Sequence, residues 1–137
     1  MTFEEEIRAE ITKLKFQVNT LGQAIDHETN PIAKLIFEFD WDEKKLDAVY
    51  HCFEKAENII ENKPETFNHA MFEHLFAENV GVGYQGLKAI ILSFYRECRY
   101  INVCIEYVKS LGDAPASEYR SIVKDIQEQE GFQSLRK

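Results

Sequence analysis

Residues 81–86 read GVGYQG, and Gly81, Gly83 and Gly86 keep the G-x-G-x-x-G spacing with which dinucleotide-binding folds cradle a phosphate. That chemistry needs a strand before the glycines and a helix after them. The preceding residues, AMFEHLFAEN, have helical spacing and a polar end. Glu106 lies where a ribose-binding acid would be sought, but within a helical pattern. The kinase version needs flanking strands and the V-A-I-K, H-R-D and D-F-G segments, none of which is present. A helix-to-helix turn accounts for the glycines better. Gly81 is placed to end one helix with a left-handed residue, and Gly83 and Gly86 to ease a reversal. Free N–H groups near Gly86 leave room for an anion at a helix start.

Other reactive residues are scattered. His69 and His74 are five apart, not the four of H-E-x-x-H, and His69 with Glu73 supplies two ligands where a metal needs three or four. His51 and Cys52 are adjacent, so on a helix they point about 100° apart and make a poor base–nucleophile pair. Asp40 and Asp42 open like a calcium loop, which fails where Lys45 replaces the turn glycine and His51 the closing glutamate. They read better as a helix-capping box with Asp40 at N-cap and Glu43 at N3. FYRECRY (94–100) interleaves aromatics and arginines as single-strand binders do, but an inward Phe94 and half-buried tyrosines are expected. Phe67, Met71, Phe72 and Phe76 could line a partner groove and more simply form core. No catalytic set, cofactor or metal is expected.

The elements that would position these residues are helices. The chain has 137 residues, one domain's worth, and only three prolines and six glycines, which favours long helices. The longest aliphatic run, residues 89–92, is far short of the roughly 20 residues of a membrane span. The acidic, amphipathic start MTFEEEIRAE is no signal peptide. Net charge is −8 and no segment is strongly basic, so neither duplex nucleic acid nor an acidic membrane is an expected partner. Cys52, Cys98 and Cys104, an odd count without C-x-x-C, are expected as free thiols in the cytoplasm.

The clearest element is a helix over residues 3–28. Ile11, Val18 and Ile25 at a, with Ile7, Leu14 and Leu21 at d, form a heptad seam. β-Branched a positions with mostly leucine at d lean towards a parallel dimer, in which Glu10 at g could reach Lys15 at e of a partner. Asn30-Pro31 starts the next helix, with Ile32, Leu35, Ile36 and Phe39 inward. A third, opened by Asp40, buries Leu46, Val49, Tyr50, Phe53, Ala56 and Ile60 and stops before Pro64. Thr66 caps a fourth over 67–78. Residues 87–111 are one long helix or two in line, closed by Gly112. After a loop at 113–116, Ser117 caps a last helix with Tyr119, Ile122, Val123 and Ile126 on one side, and 129–137 is expected to fray.

The blocks PIAKLIFEFDWDEKKLDAVYHCFEKA (31–56) and GLKAIILSFYRECRYINVCIEYVKSLG (86–112), preceded by a heptad helix, resemble the YhaI-like bacterial domain of unknown function. The likeness covers most of residues 7–112 and consists of packing patterns. It implies an all-helical, self-associating cytoplasmic protein and supplies no active site. Where that family breaks a helix with glycine, this chain has Cys98-Arg99, which leaves open whether 87–111 is one helix or two.

The expectation is therefore an all-α chain: an oligomerising heptad helix (1–29) followed by a compact multi-helix bundle (30–137). Its expected function is that of a non-enzymatic homo-oligomer, dimer favoured, acting on an unknown protein partner. The alternatives are a small-ligand or anion site at the glycine loop and, further off, a nucleic-acid-associated regulator.

Overall fold

The computed structural model describes residues 1–112 and 118–136, and every described element is helical. The expected loop at 113–116 and the Ser117 cap lie outside the described residues. The α-helices are α1 (Phe3–Ala24), α2 (Pro31–Glu38), α3 (Glu43–Asn62), α4 (His69–Asn79), α5 (Tyr84–Arg96), α6 (Ile101–Ser110) and α7 (Arg120–Arg136). A single 3-10 turn (Pro64–Thr66) joins α3 to α4. α7 is helical through residue 129, from which fraying was expected, to Arg136.

Local chemistry sets most of the boundaries. Thr2 and Glu5 form a reciprocal capping box at the start of α1, and Glu4, Glu5 and Glu6 face the positive end of its dipole. α1 stops at Ala24, and Ile25 has extended backbone. Pro31 opens α2 as expected, but Asn30 makes no side-chain cap. Glu97, distant in sequence, accepts the Ile32 N–H at 2.7 Å instead.

The capping box at Asp40 is corrected. Asp40 has φ 53° and closes α2 in a Schellman turn, with the Trp41 N–H on the Ile36 carbonyl. Asp42 is the N-cap of α3, accepting the Lys45 N–H at 2.8 Å. Asn68, not Thr66, caps α4, because the 3-10 turn takes up Thr66.

Residues 87–111 form two helices. The α5–α6 break holds two non-glycine residues in left-handed backbone, Cys98 (φ 60°) and Tyr100 (φ 54°). Tertiary packing holds Tyr100 there. The Tyr100 ring stacks on Phe53 with centroids 4.9 Å apart, and the Arg99 guanidinium lies over the Tyr50 ring at 4.7 Å. Cys98 is exposed, so its left-handed backbone has no such compensation. Cys98→Gly is expected to raise stability by about 0.5–1 kcal/mol, the relief of Cβ crowding less the entropy glycine adds to the unfolded chain. Urea unfolding checks this, and a loss of stability would mean that the thiol contributes packing of its own.

The core lies among α2–α7. α3 packs on α4 and α6, α5 packs on α2 and α6, and α7 closes over α6. Phe53 sits at its centre, fully buried, touching the rings of Phe72 and Phe76 from α4 and Phe94 from α5. Two thiols serve as small apolar core groups: Cys52 lies against the Leu75 carbonyl and Cys104 against that of Ile91. Leu46 and Ile60 are only half-buried, and Phe39 is exposed at the end of α2.

α1 is different. Gly22 is its only buried residue. The Phe37 ring of α2 lies where a side chain would stand; a Cβ on Gly22 would meet ring carbons at 2.2–2.4 Å. Lys34 Nζ donates to the Gly22 carbonyl at 2.9 Å, satisfying one of the free acceptors at the helix end. α1 is thus pinned to α2 at its C-terminal end.

Candidate functional site

Each glycine of the GVGYQG loop has a separate structural explanation. Gly81 has φ +80° and donates to the Phe76 carbonyl, so it ends α4 as a left-handed cap. Gly83 is the N-cap of α5 and offers no side chain to the helix start. Gly86 does not ease a reversal. It lies inside the first turn of α5, where a Cβ would come within 2.9 Å of the Val82 Cβ, so glycine makes room for Val82. A helix precedes the loop, as the sequence implied, and the phosphate-binding frame of strand, loop and helix is not built.

A cleft of about 350 Å³ does open beside the loop, lined in part by Glu73, His74, Gly83 and Tyr84. Its charge is wrong for phosphate. Glu73 faces it, and the Tyr84 hydroxyl is bound to Glu118 at 2.7 Å, which with burial pushes that phenol up. The nearby cation, Lys45, points its ammonium at the Val80 carbonyl at 3.0 Å. The Glu73 carboxylate in this cleft disfavours an anion there.

Behind this cleft lie two buried tyrosines, Tyr107 and Tyr119, in edge contact. Burial raises both phenols far above their ordinary value, so both stay neutral, and the buried Tyr119 hydroxyl has no hydrogen-bond partner among the described residues. Tyr107 donates to Glu73 at 3.4 Å, and Glu73 also pairs with His69 at 3.3 Å. His74 pairs separately with Glu78 at 2.9 Å. The two histidines therefore serve different carboxylates, and no group of three or more metal-binding side chains occurs among the described residues.

The thiols do not make a nucleophile–base pair. His51 is exposed while Cys52 is buried, and burial pushes the Cys52 thiol up to about 11 despite Lys55. Cys104 is pushed up to about 12 by burial. The FYRECRY stretch turns its aromatics inward: Phe94 is core, Tyr95 donates to Asp125, and Arg99 folds back onto Tyr50 at 2.8 Å. No aromatic platform is left for bases to stack on. Of the stripe expected as core, Phe72 and Phe76 are fully buried, while Phe67 and Met71 are only half-buried.

The seam of α1 is the one proposed feature that remains unoccupied among the described residues. Ile7, Ile11, Leu14, Val18 and Leu21 are 42, 46, 53, 55 and 69% exposed. The bundle, by contrast, buries Leu87, Ile90, Ile91 and Ile122 almost completely. Ile25 does not extend the seam, because the helix ends one residue before it and its side chain is half-buried. Phe3 and Phe16 are also exposed, but Phe16 falls at f, opposite the seam. The sequence pattern did not reveal Glu97 as the cap of α2. That contact joins residues 65 apart, which no local spacing records.

No helix among the described residues is long and apolar enough to cross a membrane. Comparison with protein-family models, curated proteins and solved structures finds no match to this chain.

Proposed function

We propose that the protein is a non-enzymatic homo-oligomer, in which α1 joins copies of the chain so that several helical bundles are presented together to a protein partner. The observation that carries this reading is the row Ile7, Ile11, Leu14, Val18 and Leu21, aligned on one helix face and exposed to water. Helices in proteins draw most of their stability from packing an apolar face, and a second helix on the seam would supply to α1 the packing that its own bundle gives only at Gly22. Oligomerisation multiplies weak contacts by each bundle into a stronger total attachment without new chemistry. The likeness of residues 7–112 to the YhaI-like family supports the same reading, and the unpaired cysteines suit a reducing, cytoplasmic setting.

A second reading, a small-ligand site at the glycine loop, is favoured only by the cleft beside Tyr84. Its carboxylate lining suits a neutral or cationic ligand over a nucleotide. The two readings separate in one experiment series. Sedimentation velocity at tens of micromolar should show a mass above the 16.0 kDa of one chain. A monomer at that concentration would remove the first reading. A flat thermal-shift screen of nucleotides, amines and metals would remove the second.

A further inference from the structure

We infer that α1 pairs with a second copy of the chain in parallel, so that both bundles emerge at the same end of a two-stranded coil. This rests on the self-association proposed above and adds its direction.

In the parallel alignment each seam residue meets its own counterpart, so Ile7, Ile11, Leu14, Val18 and Leu21 all form apolar layers. Glu10 at g then reaches the second copy's Lys15 at e, and the contact occurs on both flanks. Within one chain Glu10 meets only Lys13, at a marginal 4.0 Å, so its carboxylate is available.

In the antiparallel alignment a positions meet d positions. Ile11 pairs with the second copy's Leu14 and Ile7 with its Val18, but Leu21 falls opposite Glu4. The flanks are worse: e meets e, which sets Arg8 against the second copy's Lys15. Like charges along that flank disfavour this arrangement, whereas Glu4, at an a position, does not separate the two forms, since in the parallel pair it faces its own counterpart.

The docking of α2 is compatible with the parallel form. Gly22 occupies an e position, and the chain's own Phe37 fills it. In a parallel pair the two e faces lie on opposite flanks, so each bundle has its own side. In an antiparallel pair they share one flank but lie at opposite ends of the coil, about 28 Å apart, so this contact limits the side a partner uses without fixing its direction. α2 thus blocks one side of the seam and leaves the other open for the partner.

The test is cross-linking in the full chain. Leu21→Cys in a Cys98→Gly background, which removes the exposed native thiol, should oxidise largely to a disulfide-linked dimer. In the antiparallel form the two introduced thiols lie about 25 Å apart along the coil and cannot join. A dimer by sedimentation that fails to cross-link would overturn the direction and leave self-association intact. A monomer would remove self-association itself, and a mass of three chains would overturn the two-stranded form. Lys15→Glu gives a check without cysteine: the parallel pair should dissociate several-fold more readily, whereas tighter association would mean the helices run antiparallel.

Discussion

Changing Ile11, Leu14 and Val18 together to aspartate is expected to abolish self-association at any concentration up to about 100 μM. Burying one large aliphatic side chain is worth about 1.5–3 kcal/mol. Three such side chains on each of two helices amount to about 9–18 kcal/mol, an upper figure because free helices shield part of that surface already. A micromolar dimer is held by only about 8 kcal/mol. Aspartates in the seam would also bring unpaired charges into it, each costing several kcal/mol. Equilibrium sedimentation of the variant should therefore return one chain's mass. Two further readouts follow from the way α1 meets the rest. α1 gives the buried set only Gly22, so the bundle's melting temperature should move by less than about 4 °C. A lone helix of this kind is marginal, so far-UV circular dichroism should lose much of the α1 signal. An unchanged mass would mean that copies meet elsewhere. A large fall in melting temperature would mean that the seam packs on its own bundle.

Features that one or two residues decide were legible in the sequence, and features that depend on distant packing were not. Pro31, Gly81 and Gly112 mark the ends at which the structure has them, because proline suits a helix start and glycine accepts positive φ without cost. The helical period likewise identified Val49, Phe53, Phe72, Phe94 and Ile122 as inward-facing residues.

The errors share a cause. Asp40 and Asp42 both satisfy the composition of a cap, and the choice between them was made by Asp40 serving as the left-handed closure of α2. The α5–α6 break has no breaker residue. It exists because Tyr100 and Arg99 are held by Phe53 and Tyr50 on α3, contacts no local window contains. Ile25 kept the heptad register, yet the helix ended before it, where Lys34 and Phe37 fasten Gly22 to α2. The candidate site followed the same rule. Flanking residues were enough to show that GVGYQG lacks the preceding strand of a dinucleotide-binding loop, whereas Glu73 in its cleft and Glu118 on the Tyr84 hydroxyl are brought there only by the fold.

The largest single-residue loss of stability is expected at Phe53. Its side chain is fully buried and meets rings from three parts of the chain: Phe72 and Phe76 on α4, Phe94 on α5, and Tyr100 at the α5–α6 break. Phe53→Ala removes the burial of a large side chain and leaves a cavity that four aromatic neighbours cannot easily fill, a change worth about 3–5 kcal/mol. The lost ring contacts fall at the upper end of that range, because aromatic pairs contribute about 0.5–1.5 kcal/mol beyond area. A domain of this size has about 5–15 kcal/mol in total, so the variant should unfold at much lower urea or not fold at all. Phe53→Leu keeps most of the volume and should cost under half as much, which keeps the comparison measurable if the alanine variant fails to fold. The ring also holds Tyr100 in its left-handed backbone. Tyr100→Gly added to Phe53→Leu should therefore recover part of the loss, since glycine adopts that conformation without the stacking partner. If the double variant were less stable than Phe53→Leu alone, the Tyr100 ring would be contributing packing that survives without Phe53, and the break would depend on another contact.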